Sequence, residues 1–222
     1  MVVDSDLLDS VFKKRPERFK DEPYRRFLYI MHGRLKHNLL YVEAQLNGEP
    51  IDKSPFAYTS ENQFLEDLQL IHQSLCAHNN ENVANEELQD LIRLVKTFGF
   101  YLMRLDIRQE STVHTEAVAD LLQHLNIDYK ALSEADKLTV LAENVAAPTI
   151  IDTSHLDLAT MTQEVLEVFN VMRTMRAEIS PDAFNNYVIS MTHKASHVME
   201  VLFLAHQAGL AGYNAGEPYC KI

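Results

Sequence analysis

The stretch that decides the fold is Phe100-Tyr-Leu-Met-Arg-Leu-Asp-Ile-Arg108, which continues as Gln109-Glu-Ser111. Its first part is aromatic and aliphatic, and polar side chains appear only toward its end. A short apolar run of this kind is typical of a strand buried in a parallel sheet, with its functional groups at the carboxyl end. Ser111 or Thr112 is suited to cap a helix that follows. The stretch therefore predicts a buried strand over 100–108 and a helix directly after it.

The rest of the chain is dominated by apolar residues at helical spacing. Long helices are predicted over about 23–47, 60–78, 85–98 and 158–178, and shorter ones begin near Ser111, Ser133 and Ser196. A second strand is predicted over 186–191, and a third starts near Tyr219. The 6 glycines and 7 prolines are too few for an all-β protein with many tight turns. The predicted fold class is therefore a predominantly α-helical α/β protein with two or three short parallel strands, each followed by a helix.

Charge and composition exclude several classes of partner. The 222 residues carry a net charge of −12. A strongly acidic surface repels the phosphates of nucleic acids and anionic lipids, so neither is an expected partner. No apolar run approaches the roughly 18 residues that a membrane span requires, and the two cysteines form no CxxC motif. We therefore expect a cytoplasmic protein, in which a local cluster of arginines is informative because it must overcome the acidic background.

Arg104, Asp106 and Arg108 alternate with apolar residues in the predicted strand. Alternate residues of a strand share one face, so this face would carry two guanidinium groups around a carboxylate. Beside the N-terminus of the next helix, such groups can bind phosphate or carboxylate. The same spacing also fits a structural Arg–Asp–Arg ion network, and the spacing alone does not separate the two interpretations.

Three histidines are candidates for anion binding or metal ligation. His114 lies in the first turn of the helix after the arginines and could face a bound anion, although an exposed or capping role fits a lone histidine somewhat better. His193 and His197 are four residues apart, which is the spacing of a helical metal pair. They lack the glutamate of a zinc-protease motif and a third ligand, so no metal site is predicted.

Residues 97–117, TFGFYLMRLDIRQESTVHTEA, closely resemble the segment of phosphoenolpyruvate carboxylase that is written FG-x-x-L-x-R-L-D-I-R-Q-E-S-x-x-H-T-E-A. The resemblance continues in order and spacing through residues 22–25, 58–77, 132–137 and 187–191. It covers nearly the whole chain from about residue 22, and its RLDIRQES core is highly specific. One departure is His197, which stands where the family usually has aspartate.

The resemblance implies an enzyme, a carbon–carbon lyase that carboxylates phosphoenolpyruvate with bicarbonate and uses Mg²⁺ or Mn²⁺ to give oxaloacetate and phosphate. The family fold is an eight-stranded α/β barrel with many extra helices, assembled as a homotetramer. Barrel active sites lie at the C-terminal ends of the strands. By resemblance, Arg108 binds the anionic end of the substrate, and Arg104 is a second candidate at a position where the family tolerates lysine. The residues expected to support them are Asp106, Gln109, Glu110 and His114.

The family's other working parts are missing from this sequence. It has no histidine in an HPTE-like motif and no GRGG loop, and the acidic metal ligands should come after the strand that begins near Lys221. We therefore expect residues 1–222 to be a single internal fragment of a barrel enzyme, with a helical part over 1–98 and strand–helix units over 99–222. The fragment alone is expected to bind no metal and to lack carboxylase activity. The alternative is a stand-alone helical anion-binding or regulatory module without catalysis.

Overall fold

The computed structural model describes residue 12 and residues 17–147, 150–214 and 217–221. The chain divides into two compact units, one up to Leu102 and one from Met103 onward. No helix among the described residues is both long enough and apolar enough to span a bilayer.

The first unit is helical. Its helices are α1 (Pro23–Leu46), α2 (Glu61–Ala77), α3 (Glu81–Val83) and α4 (Gln89–Phe98), and a segment kinked at Glu86, Ala84–Leu88, joins the last two. The helices predicted over 23–47 and 60–78 are confirmed to within one residue. Pro23 opens α1 because its fixed φ suits a first helical turn. The helix predicted over 85–98 is confirmed over Gln89–Phe98, and Glu86, at φ −96° and ψ −119°, kinks the chain just before it.

A cluster around Tyr58 ties α1 to α2 in the first unit. The Arg34 guanidinium lies 3.8 Å from the centroid of the Tyr58 ring and contacts Asp67 Oδ2 at 3.3 Å. The buried Tyr58 hydroxyl donates to the same Asp67 oxygen at 2.8 Å. The Asn38 side chain also bonds the backbone N–H and C=O of Tyr58, each at 2.8 Å. These contacts hold the connection between the two helices onto the core.

The second unit contains two parallel strands, β1 (Leu105–Glu110) and β2 (Phe184–Ser190). The strand predicted over 100–108 therefore begins several residues later than expected. The chain turns through Gly99 and Leu102, at φ 51° and 64°, and pairing starts where the Leu105 N–H donates to the Ala183 carbonyl at 2.9 Å. The apolar residues before Arg104 lie outside the sheet. The second predicted strand is confirmed, with a start two residues earlier.

Each of these strands leads into a helix, as the sequence predicts. The helices of the second unit are α5 (Ser111–Gln123), α6 (Glu134–Ala146), α7 (Thr160–Glu178) and α8 (Ala195–Gln207), and a 3₁₀ turn spans Tyr129–Ala131. The helix predicted near Ser133 is confirmed, since the Ser133 hydroxyl caps α6 by accepting from the Asp136 N–H at 3.3 Å. A helix after each parallel strand is the local arrangement typical of α/β folds.

The β1–β2 sheet is covered on one face. Tyr187 of β2 points to this face, where its ring stacks on Phe169 of α7 at 5.2 Å between centroids and also contacts His114 of α5. The opposite face, called the open face below, is exposed and carries Asp106, Arg108, Glu110, Asn186, Val188 and Ser190. The strand that was predicted to be buried is therefore covered on one face only, because helices pack on β1 and β2 from one side.

The third strand also differs from the prediction. β3 (Ala211–Asn214) and β4 (Glu217–Cys220) pair with each other in antiparallel fashion. Gly209 and Gly212, at φ 73° and 146°, adopt backbone conformations that favour glycine and let the chain fold back after α8. Strands this close in sequence pair antiparallel, since a parallel pair requires a long crossover. The strand near Tyr219 is therefore a hairpin strand, and the parallel strands among the described residues are β1 and β2.

A carboxylate is buried in the second unit. Glu200 of α8 is fully enclosed, and its two oxygens accept hydrogen bonds from the hydroxyls of Thr115 and Tyr129, each at 2.8 Å. Burial raises the pKa of Glu200 above its ordinary value. The carboxylate thus links α8 to α5 and to the 3₁₀ turn through uncharged donors.

Candidate functional site

Arg108 lies on the open face of the sheet, in the C-terminal half of β1. Its side chain is 76% exposed, and its Nη2 approaches Asp106 Oδ2 at 4.0 Å. A charge-assisted hydrogen bond is about 2.7–2.9 Å long, so this contact is an electrostatic approach and not a closed hydrogen-bonded pair. The planar guanidinium therefore retains donors that can turn toward a carboxylate or phosphate on the open face.

Asp106 is held from the other strand. The Asn186 amide donates to Asp106 Oδ1 at 3.1 Å, while Oδ2 faces Arg108. Sequence reasoning missed Asn186, because the second strand was predicted from its apolar residues. The available signal was the pair Asn185-Asn186, since asparagine is depleted in regular strands and two in a row are unusual there.

Arg104 is placed differently from Arg108. It precedes the first residue of β1, so the strand alternation that was predicted to put both arginines on one face does not reach it. Its guanidinium bonds Asp182 at 3.2 Å, and both side chains are about half exposed. The predicted trio is therefore split into an Arg108–Asp106 pair on the open face and an Arg104–Asp182 pair ahead of the strands.

Gln109 and Glu110 form the junction between β1 and α5. The Gln109 side-chain oxygen accepts from the Glu110 backbone N–H at 2.8 Å. Glu110 lies on the open face, and its carboxylate accepts from the Thr112 hydroxyl at 2.8 Å. The Ser111 hydroxyl donates to the Met191 carbonyl at 2.8 Å and thereby joins the start of α5 to the end of β2. The hydrogen bond between Ser111 and Met191 thus holds the carboxyl ends of β1 and β2 together.

His114 lies on the covered side of the sheet, fully buried. Its Nε2 forms a 2.8 Å hydrogen bond with the Tyr187 hydroxyl, while its buried Nδ1 has no hydrogen-bond partner among the described residues. Burial, with a smaller contribution from His197, lowers the pKa of His114 to about 4. The ring is therefore neutral near pH 7. It contacts Tyr187 on the covered face of the sheet, opposite the open face.

The His193–His197 pair does not assemble a metal site. The His193 backbone N–H points to His197 Nδ1 at 3.4 Å, so one ring nitrogen of the pair faces a donor. Within the described part of the chain, no group of three His, Cys, Asp or Glu side chains could hold a metal ion. The described residues therefore do not provide the ligands of a divalent metal centre.

Comparison with known proteins connects this geometry to a family. A profile described as phosphoenolpyruvate carboxylase matches residues 2–221, which include both strands of the open face. The chain belongs to the phosphoenolpyruvate carboxylase family. The family resemblance read from the RLDIRQES segment is thereby confirmed.

Relatives that carry the name phosphoenolpyruvate carboxylase match almost the whole chain. The protein from Ralstonia nicotianae is 34% identical in an alignment of 213 positions that covers 94% of this chain and 22% of the relative. The protein from Burkholderia mallei is 33% identical in an alignment of 231 positions that covers 98% of this chain and 23% of the relative. The protein from Thermosynechococcus vestitus is 34% identical in an alignment of 217 positions that covers 93% of this chain and 21% of the relative. The chain thus spans between a fifth and a quarter of the length of these relatives.

Proposed function

We propose that the chain is an internal segment of a phosphoenolpyruvate carboxylase and contributes one wall of its active site. Family membership and a match to about 22% of the length of a relative support this assignment. The parent enzyme would carboxylate phosphoenolpyruvate with bicarbonate and release oxaloacetate and phosphate. In this proposal β1 and β2 are neighbouring strands of an α/β barrel, whose interior side is the open face.

Arg108 carries the proposal. Arg108 is the more exposed of the two paired side chains, at 76% against 34% for Asp106. It lies near the carboxyl end of its strand, where barrel enzymes bind their substrates. Its guanidinium is permanently charged and can form two parallel hydrogen bonds to a carboxylate or phosphate. Its role would be to bind and orient the anionic end of phosphoenolpyruvate, while Asp106 and Glu110 organise the strand around it. Arg104 would act further from the substrate, through its pair with Asp182.

In this proposal the ligands of the divalent metal would come from parts of the parent outside the described residues. Mg²⁺ or Mn²⁺ would supply positive charge beside the substrate's oxygens in the complete enzyme. Since the described residues include no fitting ligand group, no step involving these residues is assigned to the metal. We also propose that the parent is a cytoplasmic homotetramer, as the family resemblance implies. For the same reasons the isolated chain is proposed to have no carboxylase activity.

Extending the reading frame in both directions tests the proposal first. It requires metal-ligand and glycine-rich segments downstream of residue 222. In the extended enzyme, Arg108→Gln should lower kcat/KM for phosphoenolpyruvate by about 10- to 100-fold, the usual effect of a lost hydrogen bond to a charged group. Arg104→Gln is the matched control and should cost less, because that guanidinium is committed to Asp182. Unchanged kcat/KM in Arg108→Gln would overturn the role of Arg108.

The pure 222-residue chain provides a second test. Bicarbonate-dependent loss of phosphoenolpyruvate in its presence would refute the claim that the fragment is inactive. A reading frame without the downstream segments, together with saturable phosphoenolpyruvate binding and no turnover, would instead establish the anion-binding module.

A further inference from the structure

The register of the two strands changes beside Asp106. Leu105 lies opposite Phe184 and Ile107 lies opposite Tyr187, so two steps along β1 correspond to three steps along β2. The extra residue is a β-bulge within Asn185-Asn186. Bulges are found next to active sites because they redirect a side chain to the other face of the sheet.

Regular alternation on the carboxyl side of the bulge sets the direction of Asn186. From Ile107 opposite Tyr187 to Glu110 opposite Ser190 the strands are in register, so Tyr187 packs against Phe169 on the covered face and Asn186 is exposed on the open face. There its amide donates to Asp106 Oδ1 at 3.1 Å. The pairing of the two strands thus puts Asn186 beside the Asp106–Arg108 pair.

We infer that Asn186 is a positioning residue that restrains the Asp106 carboxylate and keeps Arg108 available to an anionic substrate. The inference rests on the proposed role of Arg108. A carboxylate beside a guanidinium competes with any incoming anion for the same donors. Here the Asn186 amide holds one oxygen of Asp106, and the other stays 4.0 Å from Arg108. Asp106 thereby lends its charge to the site without closing into a bidentate pair that would occupy Arg108.

The inference predicts an effect that depends on Asp106. Asn186→Ala removes the restraint and changes no formal charge, so Asp106 can close onto Arg108. Phosphoenolpyruvate binding should weaken by about two- to fivefold, the scale of an exposed ion pair. In an Asp106→Asn background the competing carboxylate is gone, so Asn186→Ala should have no further effect. A double-mutant cycle isolates this coupling from any independent change in the strand.

The experiment uses the ¹⁵N-labelled 222-residue chain and follows the Arg108 Nε–Hε resonance by NMR during titration with phosphoenolpyruvate. Arg108→Gln assigns the resonance and should abolish the saturable response. Ser190→Ala is the control, because Ser190 lies on the same strand and the same open face without contacting Asp106. Without ligand, exchange of the Arg108 Nε proton with solvent should slow in Asn186→Ala and recover in the double variant.

The outcomes separate the inference from the proposed function. If Arg108→Gln leaves phosphoenolpyruvate binding unchanged, the role of Arg108 fails, and the role of Asn186 toward the substrate falls with it. If Arg108→Gln abolishes binding but Asn186→Ala equals the wild type and Ser190→Ala, the inference alone is wrong. If the isolated chain shows no saturable binding, the exchange rates decide: equal Arg108 rates in wild type and Asn186→Ala overturn the restraint on Asp106, and a slower rate in the variant supports it.

Discussion

Replacing Tyr129 with phenylalanine removes one of the two hydroxyl donors to the buried Glu200. The ring remains in place, so the apolar burial of the 3₁₀ turn is preserved and the change is confined to one oxygen atom. Glu200 has no exposed surface, and water cannot replace the lost donor. Hydrogen bonds to charged groups contribute about 1.5–3 kcal/mol, so we expect a loss of about 2 kcal/mol in the free energy of unfolding at a pH above the folded-state pKa of Glu200.

The dependence of this loss on pH follows from the raised pKa of Glu200. Its folded-state pKa lies above the unfolded value of 4.5, so its contribution is most favourable at low pH and is lost as pH rises through the folded pKa. Tyr129→Phe leaves the ionised form with the Thr115 donor and raises that pKa further. The difference between variant and wild type should therefore grow as pH rises from 4.5 through the folded-state pKa of Glu200. At the lower pH the variant loses a hydrogen bond to a neutral group, worth about 1 kcal/mol.

Urea unfolding followed by far-ultraviolet circular dichroism measures this loss. With a slope of about 2 kcal/mol per molar urea, the midpoint for the second unit should fall by about 1 M once the pH exceeds the folded-state pKa of Glu200. Glu116→Gln is the matched control, since Glu116 forms an exposed pair with Lys130 next to Tyr129 and should remain within about 0.5 kcal/mol of wild type. A Tyr129→Phe variant as stable as wild type throughout a pH series that starts at 4.5, or a Glu116→Gln variant that loses as much as Tyr129→Phe, would refute the reasoning.

Two further stability predictions follow from buried polar groups. Because the pKa of His114 is lowered to about 4, the unfolded chain takes up a proton first, and the free energy of unfolding should fall as pH drops from about 6.5 to 4. In a pH series of urea titrations, His114→Gln should flatten this decline by up to about 3 kcal/mol, whereas His124→Gln, at an exposed position, should not. Equal slopes in the two variants would contradict the assignment. Asp67→Asn weakens the contacts with Arg34 and Tyr58 and should lower the free energy of unfolding of the first unit by about 1–2 kcal/mol in thermal or urea unfolding. The control Asp90→Asn breaks an exposed pair with Arg93 and should stay near wild type. A loss of similar size in both variants would contradict the importance of the Tyr58 cluster.

The helices and the family were predictable from the sequence, while the start of β1 was not. Apolar spacing located α1, α2 and α7, and the capping pattern at Ser133 located α6. The run from Phe100 to Met103 has the composition of a strand, but the chain turns there with Leu102 at positive φ. Leucine carries no sequence signal for such a turn, so a period-based prediction extends the strand backward into it.

Sequence reasoning identified Arg108 and its neighbour Asp106 but not their surroundings. Asp182, the partner of Arg104, and Asn186, the partner of Asp106, each lie about 80 residues along the chain, beyond the reach of local spacing. Alternation within β2 puts Asn186 on the same face as Val188 and Ser190, but the register that brings it beside Asp106 cannot be read from local spacing. His114 was predictable as a residue of the first turn of α5, but its burial depends on packing against Tyr187 from the other strand.

The parallel pairing of β1 and β2 also bears on how the chain is made. About 75 residues separate the two strands in sequence. The ribosome therefore synthesises α5, α6 and α7 after β1 and before β2, and β1 has no partner strand until β2 has been made. During that interval β1 is an unpaired edge, which in an apolar strand invites association with other chains. Asp106, Arg108 and Glu110 interrupt it with alternating charges, as gatekeeper residues do. The charges proposed to organise a substrate site would thus first protect the nascent strand from aggregation.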